Sequence, residues 1–315
     1  MHLHKRKLIT IFIGVMLTCT GYSQQLPNYS QYLTNFFLIN PAAAGAEGYT
    51  AFNFTAREEN IGITDAAKTH SISAQSRILK NSFIKRGHSV RRRGSSGGKG
   101  GNNGYGAYLY DDRNGALHRL GLQLTYSHHL RVKSIQFSGG VSLLGYQNSL
   151  NDVRLNEGSN NDPTINERRN KYGIDANMGV FAMHSKFKGG ISITNLIGTE
   201  GNERHYIAHG NYIYRPSRAW KYEPTLLLKW PESQIPQGDI FVKATYRGTY
   251  WGGLGYRTGS SMIIFYGLKF DKYYFNYSFE YNLNEIRKYS MGTHEFSLAV
   301  KLGENARRYR WLNRY

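Results

Sequence analysis

Cysteine, proline and long apolar runs are all scarce in this 315-residue chain, and each scarcity excludes a class of protein. The sequence contains one cysteine and seven prolines. Because Cys19 lies in a predicted signal peptide, the mature chain is expected to have no disulfide, zinc–thiolate site or cysteine nucleophile. After residue 23, no apolar run approaches the roughly 20 residues of a membrane-spanning helix, which excludes helical spans.

Acidic residues are also few, with 21 Asp and Glu against 40 Lys and Arg, for a formal net charge of +19. Aromatic residues and glycine are abundant instead: aromatics make up 14% of the chain, and there are 35 glycines. This combination favours β structure with tight turns and argues against a helical bundle.

Residues 1–23 have the composition of an export signal. A positively charged stretch precedes an apolar run over residues 8–18, and Gly21-Tyr22-Ser23 supplies a small-x-small cleavage site. A lipoprotein anchor on Cys19 is the alternative, but the preceding residues match a lipobox poorly. We therefore expect export and cleavage before Gln24.

Apolar and polar residues alternate along most of the remaining chain. Over residues 273–283, Tyr, Phe and Leu occupy the odd positions, and mainly Asn, Ser and Glu occupy the even ones. Successive strand residues point to opposite faces, so such a strand has one apolar and one polar face. Fourteen strands are predicted, at 48–58, 68–79, 104–111, 117–130, 134–147, 171–183, 187–195, 205–214, 220–230, 239–246, 249–257, 261–270, 273–283 and 293–302.

The length and number of these strands favour a membrane barrel over a soluble sandwich. Many are about 9 to 14 residues long, nearer to a membrane-barrel strand than to the usual five or six. Bacterial outer-membrane barrels require an even count. We predict an all-β fold, a 14-stranded antiparallel transmembrane β-barrel over 48–303 in the outer membrane, preceded by segment 24–47 and followed by tail 304–315.

Connection lengths support the same fold. With Gln24 in the periplasm, the connections predicted on that side are very short, and those on the outer side are longer. The short ones are 131–133, 184–186, 215–219, 247–248 and 271–272; the longer ones are 148–170, 196–204, 231–238 and 284–292. Residues 80–103 are the exception, a long connection on the periplasmic side.

Two flanking or connecting stretches have alternative interpretations. Segment 29–45 is apolar and aromatic, so it either enters the lumen as a plug or docks on a partner, and both can hold.

Connection 80–103 has no acid and includes Arg91, Arg92, Arg93 and Lys99. It is either a solvated loop or a contact for peptidoglycan, lipid headgroups or an acidic periplasmic partner. Export argues against nucleic acid. The basic, aromatic tail 304–315 is predicted either to contribute to the same periplasmic contact or to anchor at the lipid interface.

Metal binding and catalysis have little support in the sequence. His205 and His209 share a strand face but lie about 13 Å apart, too far for one ion. No nucleophile elbow or phosphate-binding loop is present. Asp175 and Glu280 are predicted to be lumenal charges paired with Lys188, Lys243 or Lys269. We expect no enzyme activity, cofactor or metal.

Five stretches, spread in order over the mature chain, resemble the PorP/SprF family of Bacteroidetes outer-membrane proteins. They are 29–45 (YSQYLTNFFLINPAAAG), 68–75 (KTHSISAQ), 110–115 (YDDRNG), 204–206 (RHY) and 292–296 (GTHEF). One departure is the link 80–103, which is longer than the family's usual link between strands 2 and 3.

The resemblance implies a non-enzymatic barrel of type IX secretion that holds the C-terminal domain of a large secreted surface protein, commonly a gliding or attachment adhesin. Periplasmic secretion components are further expected partners. The candidate partner-binding residues are Tyr29, Gln31, Tyr32, Asn35, Phe36, Phe37, Asn40 and Pro41. A pore or transporter for small solutes is the alternative function.

Overall fold

The structure, a computed structural model, describes residues 29–78, 102–150, 170–199, 202–259 and 261–303. Fourteen strands form one antiparallel sheet, in which consecutive strands pair and β1 also pairs with β14, so the sheet is closed. The predicted 14-stranded barrel is confirmed. The strands are β1 (Thr50–Glu58), β2 (Lys68–Ile78), β3 (Asn103–Asn114), β4 (Leu117–Val132), β5 (Ile135–Leu150), β6 (Asn170–Met183), β7 (Phe187–Thr194), β8 (His205–Tyr212), β9 (Trp220–Pro231), β10 (Gln237–Tyr246), β11 (Tyr250–Arg257), β12 (Ser261–Phe270), β13 (Tyr273–Asn282) and β14 (Thr293–Leu302).

Strand β4 shows how the alternation in sequence builds the wall. Leu122 and Leu124 are exposed on the outside of the barrel, whereas Gln123 and Thr125 are buried on the inside. Closure pairs the backbone groups of every strand with a neighbour on each side. An apolar outer surface without a free sheet edge is the arrangement that a β-protein needs in lipid.

The predicted strand limits differ from the observed ones by a few residues. Strand β5 continues to Leu150 instead of ending at residue 147, because its register with β4 extends to the pair Leu117 and Leu150. The strand predicted to end at 214 ends at Tyr212, because Tyr214 makes only an isolated bridge to Tyr222.

The two ends of the barrel differ in their connections. At one end, here the short-turn end, tight turns join β4 to β5, β6 to β7, β10 to β11 and β12 to β13. In the third of these, Arg247 and Gly248 both have positive φ, as in the type I′ turns of tight hairpins. The opposite end, here the long-connection end, carries 195–204 and 283–292. Short turns face the periplasm in bacterial barrels.

The helices that lie wholly within the described residues are all short 3₁₀ helices. Three 3₁₀ helices, Gln31–Thr34, Phe36–Leu38 and Pro41–Ala43, precede β1, and a fourth, Glu285–Lys288, lies between β13 and β14. Among the described residues, no helix has the length and apolar character needed to cross a membrane.

Candidate functional site

Residues 29–49, here the lumen segment, run lengthwise through the barrel. At the long-connection end, the backbone N–H of Ser30 donates to Glu295 Oε2 at 2.8 Å, near the start of β14. At the short-turn end, the N–H of Gly45 donates to Gln75 Oε1 at 3.0 Å, near the end of β2. The segment therefore begins at the long-connection end and reaches the short-turn end before it enters β1. The expected start in the periplasm does not hold for Ser30, because the segment first crosses the lumen from the opposite end; β1 still begins at the short-turn end, so the predicted sides of the connections are unchanged.

Apolar side chains of the lumen segment pack on apolar side chains of the wall. Tyr32 meets the ring of Phe241 edge-on, with centroids 5.6 Å apart, and Phe36 stacks on His209 at 5.0 Å. Three buried clusters join segment to wall. Their wall members are Ile207, Leu227, Phe241, Ile263 and Phe265; Tyr108, Tyr110, Leu144 and Tyr146; and Phe181 and Met183.

The side chain of Asn40 bonds to both the barrel wall and the segment itself. Its Nδ2 donates to the carbonyl of Val180 at 3.0 Å, while its Oδ1 accepts the N–H of Ala42 at 2.9 Å and caps the helix Pro41–Ala43. Proline at the first helical position adds a fixed φ and no unpaired donor. Asn40 is fully buried, so each of these bonds is made away from water.

Wall glycines make room for this part of the segment. A Cβ on Gly140 would lie 2.5 Å from the backbone nitrogen of Ala42, and a Cβ on Gly179 would lie 2.3 Å from Asn40 Oδ1. Both distances are far inside van der Waals contact. The backbone of the wall and that of the segment can therefore approach each other only because these positions lack side chains.

Wall side chains satisfy backbone carbonyls that the segment leaves open. Ser192 Oγ donates to the carbonyl of Ile39 at 2.6 Å, and Ser127 Oγ donates to that of Ala44 at 2.7 Å. Gln136 Nε2 donates to the carbonyl of Ala46 at 3.0 Å. A non-repetitive segment buried in a protein needs such partners for its backbone.

A buried ionic cluster holds the start of the segment. Arg57 Nη1 lies 2.8 Å from Glu280 Oε1 and 2.9 Å from Glu295 Oε2, and it donates to Ser30 Oγ at 3.0 Å. Arg257 joins Glu280 to Asp239, with N–O distances of 3.1 Å. Both arginines are buried. Because each charge has several partners, the cluster avoids the penalty of an unpaired buried ion.

The predicted partners of Asp175 and Glu280 are wrong. Glu280 pairs with arginines, and Asp175 Oδ1 accepts the N–H groups of Ala176 and Ile197. Lys243 pairs instead with Glu223, and Lys188 with Glu47. The reason is register: the predicted lysines face the lumen near the short-turn end, whereas Glu280 lies near the long-connection end.

The structure places most of the predicted partner-binding residues in the lumen. Tyr29, Tyr32, Asn35, Phe36, Phe37, Asn40 and Pro41 contact the wall there, and the backbone of Gln31 belongs to the first 3₁₀ helix. Arg91, Arg92, Arg93 and Lys99 lie outside the described residues, as do the predicted signal peptide and the tail. The contact of either set with a partner stays a prediction.

The inward faces of the strands are not uniformly polar, in contrast to the expected strand with one apolar and one polar face, because several apolar residues also point inward. Strands β9, β10 and β12 each contain consecutive apolar residues, at 226–228, 240–242 and 262–265. The inward member of each run (Leu227, Phe241, and Ile263 with Phe265) contacts the segment's apolar cluster. A break in alternation toward continuous apolar sequence signals a strand buried on both faces.

His205 and His209, the pair weighed as metal ligands, have packing and hydrogen-bonding roles in the geometry observed. His209 lies between the rings of Phe36 and Phe181, at 5.0 and 5.8 Å. His205 Nδ1 lies 2.9 Å from the carbonyl oxygen of Glu203, to which it donates in the tautomer that carries its proton on Nδ1. Among the described residues, no group of three or more His, Cys, Asp or Glu side chains is arranged to hold a metal ion.

With the fold and lumen described, comparison with protein families is informative. The family described as "Type IX secretion system membrane protein PorP/SprF" matches residues 21–300. The chain belongs to the PorP/SprF family. The resemblance inferred from the sequence is confirmed, and the closed barrel of this PorP/SprF protein agrees with a location in the outer membrane.

Solved porins are similar to the PorP/SprF chain only at a distance. The KdgM porin in complex with disordered oligogalacturonate is 8% identical with a TM-score of 0.40, over 80% of this chain and 98% of the porin. A variant of the Rh. blastica porin is 7% identical with a TM-score of 0.34, over 81% and 99%. No curated protein matches the chain.

Proposed function

We propose that this PorP/SprF protein is a closed, non-enzymatic outer-membrane barrel that holds the C-terminal domain of a secreted surface protein, an adhesin, at the cell surface. Family membership supports a role in type IX secretion, with secretion components and cargo as partners. The occupied lumen is the observation that separates this role from the alternative, a pore for small solutes.

The lumen segment supports closure because the wall is built around it. Its side chains fill the centre of the barrel, its backbone carbonyls accept wall hydrogen bonds, and Gly140 and Gly179 leave room for it. A solute pathway needs a continuous wet passage. Filling the lumen with apolar side chains opposes one.

The long-connection end supplies a candidate docking surface for the adhesin domain. Tyr289 and Met291, in the connection between β13 and β14, are 76% and 75% exposed. Backbone hydrogen bonds from Ile61 to Gly292 and from Met291 to Ile61, 2.9 and 2.7 Å long, fix this connection against the one between β1 and β2. Exposed apolar side chains held on a fixed backbone are typical of protein–protein contacts. We call Ile63, Ile286, Tyr289 and Met291 the apolar rim.

The ionisable residues of the lumen support a structural role. Arg57, Glu280 and Glu295 are hydrogen-bonded to one another and to the segment, so their charges are committed to holding it. A general acid or base needs access to a substrate. These groups are buried instead.

The central experiment is native purification of the barrel from the outer membrane in mild detergent, with mass spectrometry of the proteins that remain attached. We expect one large secreted protein near equimolar amount, and its retention should fall when Tyr289 and Met291 are both replaced by Asp. The matched control is Ile235→Asp, at an exposed position on another connection of the same end. A barrel purified alone, or equal retention by the rim variant and wild type, would contradict the proposal.

A further inference from the structure

A cavity with a strongly basic lining lies at the opposite, short-turn end of the barrel. There the lumen widens into a cavity of about 490 Å³ beside the end of the lumen segment. Its wall includes one arginine and five lysines but only two carboxylates among the described residues. The cations are Lys188, Arg215, Lys221, Lys243, Lys269 and Lys301, and the acids are Glu47 and Glu223. We call this cavity the basic vestibule.

Both carboxylates of the basic vestibule are already engaged. Glu223 Oε2 forms ion pairs with Lys221 Nζ at 2.8 Å and Lys243 Nζ at 3.0 Å, and Glu47 pairs with Lys188. The described lining thus has four more cations than anions. Cations gathered in a cavity with low-dielectric walls raise the local positive potential. An anion that entered the cavity would lower this potential.

Other chemistry in the basic vestibule fits a peptide. The rings of Trp251 and Tyr274 line it, and the Nζ of Lys301 lies 4.5 Å from the centre of the Tyr274 ring. Ser185 Oγ and Asn211 Oδ1 are buried on its wall with no hydrogen-bond partner among the described residues. Aromatic surfaces, a hydroxyl and an amide can contact the backbone and side chains of a peptide as well as its charge.

The chain itself lacks a matching acidic segment at this end. The connection 79–101 contains no Asp or Glu, and residues 304–315 contain four arginines and one acid. Lipid headgroups are on the other side of the wall, because the lysines named here point into the lumen. Neither stretch is an acidic complement, so we look for the complementary charge in another molecule that enters from the periplasm.

We propose that the basic vestibule binds a short acidic peptide segment of a periplasmic or transiting protein. The site is separate from the apolar rim in position and in chemistry, and the inference does not depend on the adhesin-holding role. Carboxylates would approach Lys269 and Lys301, which lie over the Tyr274 ring, while the unpartnered Ser185 and Asn211 atoms would contact the peptide backbone.

Binding can be measured with the full barrel in detergent and a fluorescent peptide of four glutamates, by anisotropy at low and at physiological salt. We expect saturable, salt-sensitive binding, at least about tenfold weaker for Lys269→Met/Lys301→Met. The matched control is Lys133→Met/Lys272→Met, which removes two exposed charges from turns at the same end. A four-glutamine peptide is the ligand control.

Each competing result is decisive. Equal binding by vestibule and control variants would show only a general attraction to a basic protein and would overturn the site. Inorganic phosphate that displaces the peptide at equal concentration would reassign the vestibule to phosphate. Loss of binding in the vestibule variant, with the barrel's heat-dependent gel shift retained, supports the proposal independently of any adhesin co-purification.

Discussion

The two ends of the lumen are lined by opposite balances of charge. At the long-connection end, two buried arginines meet four carboxylates within a single hydrogen-bonded cluster that also binds Ser30. At the short-turn end, six cations surround two carboxylates in a cavity of about 490 Å³. The same alternation of strand residues therefore gives two different results. At the long-connection end, the lumenal charges bind the start of the lumen segment. At the short-turn end, most of the lumenal charges are cations that line the cavity.

The largest expected difference between the two ends is the side of the outer membrane to which each is exposed. Because the lumen segment begins at the long-connection end, an epitope placed after Ser23 should be labelled by antibody on intact cells, whereas the same epitope in the turn at Asp271 should not. Both should be labelled after the outer membrane is permeabilised. Labelling of only the Asp271 epitope on intact cells would show that the barrel is inserted the other way.

The next effect concerns the buried ionic cluster. Arg57→Gln removes the cation shared by Glu280 and Glu295; Glu280 keeps its pair with Arg257, whereas Glu295 loses this buried guanidinium. Breaking a buried pair in this way costs about 3–5 kcal/mol. We expect a loss of this size in the free energy of unfolding in lipid vesicles, followed by tryptophan fluorescence in urea.

The control for Arg57→Gln is Glu58→Gln. Glu58 forms an exposed ion pair with Lys68 at 3.2 Å on the neighbouring strand. Exposed pairs contribute less than about 1 kcal/mol. Similar losses for both variants would mean that the buried cluster has no special role in holding the segment.

A smaller effect is expected from adjacent glycines in β5. A methyl group on Gly140 would contact the backbone of Ala42 at 2.5 Å, whereas nothing lies within 4 Å of one on Gly139. Overpacking of this kind costs about 1–3 kcal/mol. Gly140→Ala should therefore lower stability and make the segment sensitive to protease, while Gly139→Ala should leave both near wild type.

Some of these features can be predicted from the sequence alone, and others cannot. The strand count, the closed fold and the shorter turns at one end follow from alternation and spacing, which are local properties. The apolar runs at 226–228 and 240–242, which mark strands buried on both faces, are local signals of the same kind. By contrast, the bonds from Asn40 to Val180 and from Arg57 to Glu280 join residues 140 and 223 positions apart. Only the register of the closed sheet brings such residues together.

The smallest effect is a pH dependence at the short-turn end. Burial alone would raise the pKa of Glu47, but the ammonium groups of Lys188 and Lys301 outweigh it and lower the pKa to about 2. A carboxylate with a depressed pKa stabilises the folded state above its unfolded pKa, and this contribution fades as the pH falls from about 4.5 toward 2.

This dependence is expected to be modest, because the Glu47 side chain is about one-third exposed. After screening by solvent, we expect about 1 kcal/mol. Wild type should lose that much more stability than Glu47→Gln between pH 6 and pH 3, measured by urea unfolding. Parallel pH profiles for the two proteins would mean that the Lys188 pair does not hold the segment's end.

Conductance of the purified barrel in planar lipid bilayers tests the central claim most directly, because that claim is a lumen filled by residues 29–49. We predict no stable conductance steps for the wild-type protein and for Gly139→Ala, and transient openings for Arg57→Gln and Gly140→Ala, in which the segment is loosened. A steady open channel in the wild-type protein would contradict the account and restore the pore as its function.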